Sequence, residues 1–320
     1  MIKKLAITAF AGLSALGFTA ISAAEDIIDY GNQCAAAIAQ IPAFNCLDGE
    51  IIPITVGGKT PDSYFPGMDC DRPSLLPLGP ESDGQCVPFS RALLISDDNA
   101  QITALCRQKK IRTADSPYFD EIDIIAHDVV TGSTCWFQAE AKDANGFDAT
   151  RVPPPNEVSP PPGHVSARAF WNSPEKTASA DCGDCHDSDP FMYSPFIGQV
   201  WHQVPTDPFG WYANDIGEAF RKWAKPKSIT TRGNTCIGCH RIGSEFTCRQ
   251  GILESAGVIH PQNGDDWALD YPGSHWMPAG NFHSKEAWDT IYKKSVSDLA
   301  SCCSNPDQPS CQLMPITGRP

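Results

Sequence analysis

Cys182-Gly183-Asp184-Cys185-His186 and Cys236-Ile237-Gly238-Cys239-His240 share one spacing, Cys-x-x-Cys-His. The spacing has a chemical reason. Two thiols three residues apart can each add to one vinyl group of a haem, and the histidine that follows supplies an imidazole nitrogen to the iron. A dithiol redox pair also reads Cys-x-x-Cys, but it requires neither a histidine next nor a second copy. Cys182, Cys185, Cys236 and Cys239 are therefore expected to hold two haems c, with His186 and His240 as axial ligands to iron.

On these residues the chain resembles the c-type cytochromes, over roughly its C-terminal half. The resemblance implies one-electron chemistry and export before haem attachment. Around the second motif it extends further. Residues 214–224 read as a helix capped by Asn214 or Asp215, with Ile216, Phe220 and Trp223 on one face and Pro226 ending it. The motif follows, then a short helix over 244–258, a polar loop, Met277-Pro278, and a helix over 284–301. In that last helix Ser284 is the expected cap and Trp288, Ile291, Tyr292 and Leu299 form an apolar stripe. This order is similar to a small monohaem cytochrome c, which implies Met277 as the second haem's distal ligand, with His275 as the alternative. The chain departs from that pattern in two ways: Phe220 precedes Cys236 by 16 residues, and no Met-Pro follows the first motif. For the first haem His202 leads, ahead of His164. His260, His283 and Met192 are further candidates.

The chain opens with a secretory signal pattern over 1–24: Lys3 and Lys4, an apolar run, then Ser22-Ala23-Ala24 before Glu25. No later stretch is long and apolar enough to span a bilayer. Without Lys3 and Lys4 there are 22 basic against 38 acidic residues, a formal charge of −16. That sign argues against nucleic acid and anionic lipid as partners. It favours redox proteins with basic surfaces as partners, or simple solubility.

Four of the 14 cysteines lie in the motifs, and ten remain. An even number in an exported chain reads as a disulfide framework. Six precede Pro153 and four follow it, so pairing within each side is expected. Cys302 and Cys303 are adjacent and would be strained as a mutual pair. One is expected to pair with Cys248 and the other with Cys311.

The expected fold class is α+β: a disulfide-rich β or irregular N-terminal domain (25–150), then a mostly α-helical, loop-rich dihaem cytochrome c domain (164–320). Between them, residues 151–163 carry six prolines in ten residues and read as a stiff polyproline II spacer of about 30 Å. In the first domain the pattern predicts a short helix within 26–40 containing Cys34. Strands are predicted over 51–56 and 92–95, a short helix over 99–109, and a hairpin of 121–130 with 133–139 across Thr131-Gly132. His127 on that hairpin carries no ligand spacing and reads as a surface or half-buried strand residue. From Gly163 onward lie seven of the eight histidines and seven of the eight tryptophans. The tryptophans read as haem-pocket packing and core, since a porphyrin is a large apolar disc.

The expected function is electron transfer by a dihaem protein in the periplasm or outside the cell. The alternatives are a dihaem oxidoreductase of the peroxidase or thiosulfate-oxidising type, or a haem-stacking subunit that self-assembles into a conducting array. The sixth iron position separates the first two. Strong protein ligands there leave only electrons to move, whereas an open iron admits substrate.

Overall fold

The computed structural model describes residues 25–66, 68, 70–72, 86–194, 196–205, 210–238, 241–252 and 285–317. The expected signal segment lies outside them. The chain is mixed α+β and disulfide-rich, and its sheets are antiparallel. The largest sheet has the order β1-β2-β3-β5-β6. Its strands are β1 (Glu50–Ile51), β2 (Arg91–Asp97), β3 (Ala100–Arg107), β5 (Glu121–Asp128) and β6 (Thr134–Glu140). A small ladder joins β4 (Tyr118–Phe119) to β7 (Phe147–Asp148).

The sheet's two faces follow from the period-2 alternation of its strands. One face carries Ile102, Ala104 and Cys106, then Ile122, Ile124 and Ala126, then Cys135, Phe137 and Ala139, all buried. Helix α1 (Ile27–Ala37) packs here through Ile27, Ile28, Tyr30 and Cys34. The Cys34–Cys135 disulfide staples it to β6. The opposite face carries Thr103, Arg107, Glu121, His127, Thr134 and Trp136. There the buried Glu121 is paired with Arg107 and Lys109.

The helix expected over 99–109 is strand β3 instead. Its alternating Ile102, Ala104 and Cys106 bury one face between β2 and β5, and Cys106 is tied to Cys46. Sheet pairing overrides the weak local helix preference. The 51–56 run is strand only at its start, and the chain turns at Gly57-Gly58, with Val56 bridged to Lys59. The Thr131-Gly132 hairpin is present. Gly132 has φ +82°, and a Cβ there would lie 2.7 Å from the Trp211 backbone, so only glycine fits.

The Pro-rich stretch does not run free as a spacer. Val152, Pro153 and Pro155 are buried, and Asn156 bonds to Asn32 and Gln40 around α1. Trp171 Nε1 donates to the Pro153 carbonyl (2.9 Å). The main core continues across the stretch, joining Phe137 of β6 to Phe170, Trp171, Phe220 and Trp223. Aromatic rings on both sides of these prolines bury more apolar area together than either side does alone.

Past residue 163 the helices are short: α2 (Ala167–Phe170), α3 (Pro174–Ser179) and α4 (Cys182–Cys185). Among the described residues there only α5 (Lys285–Ser304) is long, and the hairpin of β8 (Lys227–Thr231) with β9 (Cys311–Pro315) packs beside it. A mostly α-helical haem domain is not present among the described residues. The helix expected over 214–224 is a 3₁₀ turn at Glu218–Lys222. Asn214, expected as its cap, instead accepts from Trp136 Nε1 (2.9 Å). The helix expected over 244–258 is, within the described residues, a π turn at Thr247–Gly251. The 284–301 helix is α5, and its expected cap, Ser284, lies outside the described residues.

All ten cysteines outside the motifs are paired: Cys34–Cys135, Cys46–Cys106, Cys70–Cys86, Cys248–Cys303 and Cys302–Cys311. No bridge crosses the Pro-rich stretch. Five disulfides place the chain in an oxidising, extracytoplasmic compartment. Among the described residues no helix is long and apolar enough to cross a membrane.

Candidate haem-attachment sites

The first motif begins on α4, a single helical turn. Ser173 caps the preceding α3 by accepting from Lys176 N (3.2 Å). Asp181 then takes a left-handed conformation (φ 53°), which Asp tolerates better than most residues, and the chain turns into α4. A separation of three on a helix puts Cys182 and Cys185 on one face. Neither belongs to a disulfide.

His186 follows immediately. Its Nδ1 donates to the Pro190 carbonyl (2.9 Å), which leaves the Nε2 lone pair for a metal. Burial pushes its pKa down to about 4, so the ring is neutral. Tyr212 Oη donates to the His186 carbonyl (2.7 Å) and fixes the backbone beneath the ring. Trp136 of β6 meets the imidazole edge-on, with centroids 5.0 Å apart. Trp223 in turn meets Trp136 at 5.7 Å and Phe220 at 5.0 Å. The sheet's polar face thus supplies an aromatic wall to the motif.

Burial pushes the Cys182 thiol well above its ordinary value, and the negative charges of Asp123 and Glu121 add to it. A dithiol redox catalyst needs the opposite shift. The donor set at the first motif fits a covalently held haem: two thiols on one face, and an imidazole whose second nitrogen is already engaged.

Gly183 is required by this packing. A Cβ on it would sit 2.7 Å from Cε3 of Trp223. Gly183→Ala is expected to lower stability by about 1–3 kcal/mol through overpacking. Adding Trp223→Leu should recover part of that loss. Thermal unfolding of the two variants checks both outcomes.

At the second motif Cys236 opens a 3₁₀ turn, Cys236–Gly238, half-buried against a second core of Ile229, Ile242, Trp288 and Leu299. Asn234 sets the entry. It accepts from Cys236 N (3.0 Å) and donates to the Ser295 carbonyl on α5 (2.8 Å). Ser295 Oγ also accepts from Thr235 N (3.0 Å). Cys236, like the first pair, is not in a disulfide. Cys239 and His240 lie outside the described residues, as do Met277, His275, His260 and His283.

Three of the candidates for a sixth ligand opposite His186 are among the described residues. His202 is exposed and pairs through Nε2 with Glu50 of β1 (2.5 Å). Trp136, against which His186 lies, is on β6 at the other edge of the sheet. Four strand spacings separate these edges, about 19 Å. His164 is exposed. Met192 accepts from Ser188 Oγ (3.7 Å) within the same loop. His127 is not a surface residue: it is 2% exposed and its Nδ1 is 2.9 Å from Thr134 Oγ1.

Sequence reasoning placed the pocket aromatics after Gly163 and missed Trp136, which a sheet 50 residues upstream delivers. It also missed Pro190, Tyr212 and Asp187. Only the position of Pro190, four residues past His186, was a local signal. Compared with protein-family models, with curated proteins and with solved structures, the chain matches none.

Proposed function

We propose that the chain is an exported electron-transfer protein carrying two covalently bound haems c. One observation carries this reading most of the way. His186 is held by Nδ1 on the Pro190 carbonyl, directly after two thiols that stay out of disulfides while all ten non-motif cysteines pair. A histidine that ligates a metal characteristically engages its other ring nitrogen in this manner.

In the proposed protein, Cys182, Cys185, Cys236 and Cys239 hold the two groups, and His186 and His240 bind iron. A bound haem supplies reversible one-electron chemistry at iron. The chain's own residues do the rest. Pro190 and Tyr212 orient His186, and Trp136 and Trp223 exclude water beside it. Met277, or alternatively His275, remains the proposed sixth ligand of the second haem. The partners are redox proteins, and the acidic surface suits basic ones. The place of action is the periplasm or the exterior.

Mass and spectra test this together. After acid–acetone extraction the intact mass should exceed the processed polypeptide by two haems. Absorption and EPR of the native protein, before extraction, should show low-spin iron throughout. A mass without haem defeats the reading. A high-spin iron that reacts rapidly with peroxide replaces it with a dihaem oxidoreductase.

A further inference from the structure

The residue immediately after each motif reaches into the loop that leaves the other. Asp187 follows His186. Its carboxylate accepts from Glu245 N (2.6 Å), Thr247 N (3.3 Å) and the Thr247 hydroxyl, five and seven residues past the second motif. It rests on Gly243, where a Cβ would lie 2.1 Å from the carboxyl carbon. Arg241 follows the second motif. Its guanidinium donates to the Ser188 carbonyl (3.1 Å), two residues past the first, and to the Gly210 carbonyl (2.5 Å). The two loops therefore hold each other reciprocally.

Asp187 is 4% exposed. Burying a carboxylate costs several kcal/mol unless donors surround it. Apolar side chains of the same volume would glue two loops at least as well. What the charged arrangement adds is direction, because charge-assisted hydrogen bonds to backbone groups set one register and no other. Gly243 completes it by leaving room for the carboxylate. It follows the second motif by three residues, and three peptide units reach at most about 11 Å. The strand side of that loop is fixed as well, since Ile229 N of β8 donates to the Ile242 carbonyl (2.8 Å).

We propose that Asp187 and Arg241 are positioning residues that lock the two haem-attachment loops into one rigid pair. The two irons then keep a fixed separation and mutual orientation, and electrons pass between them within the molecule before reaching a partner. This rests on the dihaem reading above. Electron tunnelling falls steeply with distance, so a fixed spacing is what an internal relay needs. Two haems on independently moving segments would each exchange electrons with partners alone.

Circular dichroism in the Soret band reads the arrangement directly, because two chromophores held close and at a fixed angle split the band into lobes of opposite sign. The full-length exported protein is used, with haem content measured on every sample by intact mass. The wild type should carry two haems and show the split band. Asp187→Ala and Arg241→Met should each keep two haems and collapse the split to a single-signed band. Asp187→Asn, which retains an acceptor oxygen, should keep the split. Those three variants, each with far-ultraviolet circular dichroism recorded on the same sample, separate positioning from a general loss of fold, which would leave the covalent haems in place and remove the secondary-structure signal. A wild type with two haems and a single-signed band overturns the proposal whatever the variants do. So does an undiminished split in Asp187→Ala or Arg241→Met. A wild type without haem instead overturns the dihaem reading itself.

Discussion

Replacing Cys182 and Cys185 together by alanine should leave one covalently bound haem in place of two. The two thiols sit on one face of a single turn, and α3 with its Ser173 cap delivers that turn to the sheet. Without them the first site keeps only His186, and an axial nitrogen alone does not resist acid–acetone extraction. The extracted protein should lose one haem in mass and about half of its Soret absorbance. The fold should survive, because neither cysteine contributes to a disulfide. The five bridges elsewhere are untouched by the exchange. Replacing Cys236 and Cys239 should remove the other haem, and replacing all four should remove both. Two haems retained in the first variant would mean that the first motif is not an attachment site.

The second large effect concerns stability. Replacing Cys34 and Cys135 by alanine should lower the free energy of unfolding by about 4–5 kcal/mol. The bridge closes a sequence separation of 101 residues, the longest of the five. Both cysteines are buried, 1% and 0% exposed, between α1 and the apolar face of the sheet. Longer loops lose more chain entropy when closed, so the unfolded state gains most from this cut. By the same relation the Cys70–Cys86 bridge, across 16 residues, is worth about 3 kcal/mol. Denaturant unfolding under oxidising conditions measures both. In excess reductant the wild type and the Cys34→Ala/Cys135→Ala variant should converge. A loss below about 1 kcal/mol would mean that packing of Tyr30 and Phe137 holds α1 without the bridge.

Much of this architecture was legible from particular residues. Cys34 within an Ala-rich run marked α1, and Thr131-Gly132 between two apolar alternations marked the β5–β6 hairpin. The strained adjacency of Cys302 and Cys303 pointed to their separate partners, Cys311 and Cys248. Other elements were not legible. Residues 99–109 hold good helix formers, yet they form β3 because two neighbouring strands pair with them. The Pro-rich run looked like a free spacer, yet its first part, Pro153 to Asn156, is held down by Trp171 and by Asn32 of α1. The 214–224 stripe looked like a helix, yet Asn214 serves Trp136 rather than a helix end. In each case a partner distant in sequence outweighed a local preference worth under about 1 kcal/mol per residue.

The sequence by itself determined which groups the two motifs present. Thiol, thiol and imidazole at that spacing are covalent facts, and no folding changes which residue follows which. It also determined which cysteines remain for disulfides, by subtraction. The tertiary structure alone decided what stands around the motifs. A tryptophan from β6 lies against His186, a proline carbonyl four residues on engages its Nδ1, and Asp187 and Arg241 tie the two loops to each other. Those arrangements depend on the sheet bringing its polar face to a motif 50 residues away, and loop-to-loop hydrogen bonds leave no periodic trace in a sequence.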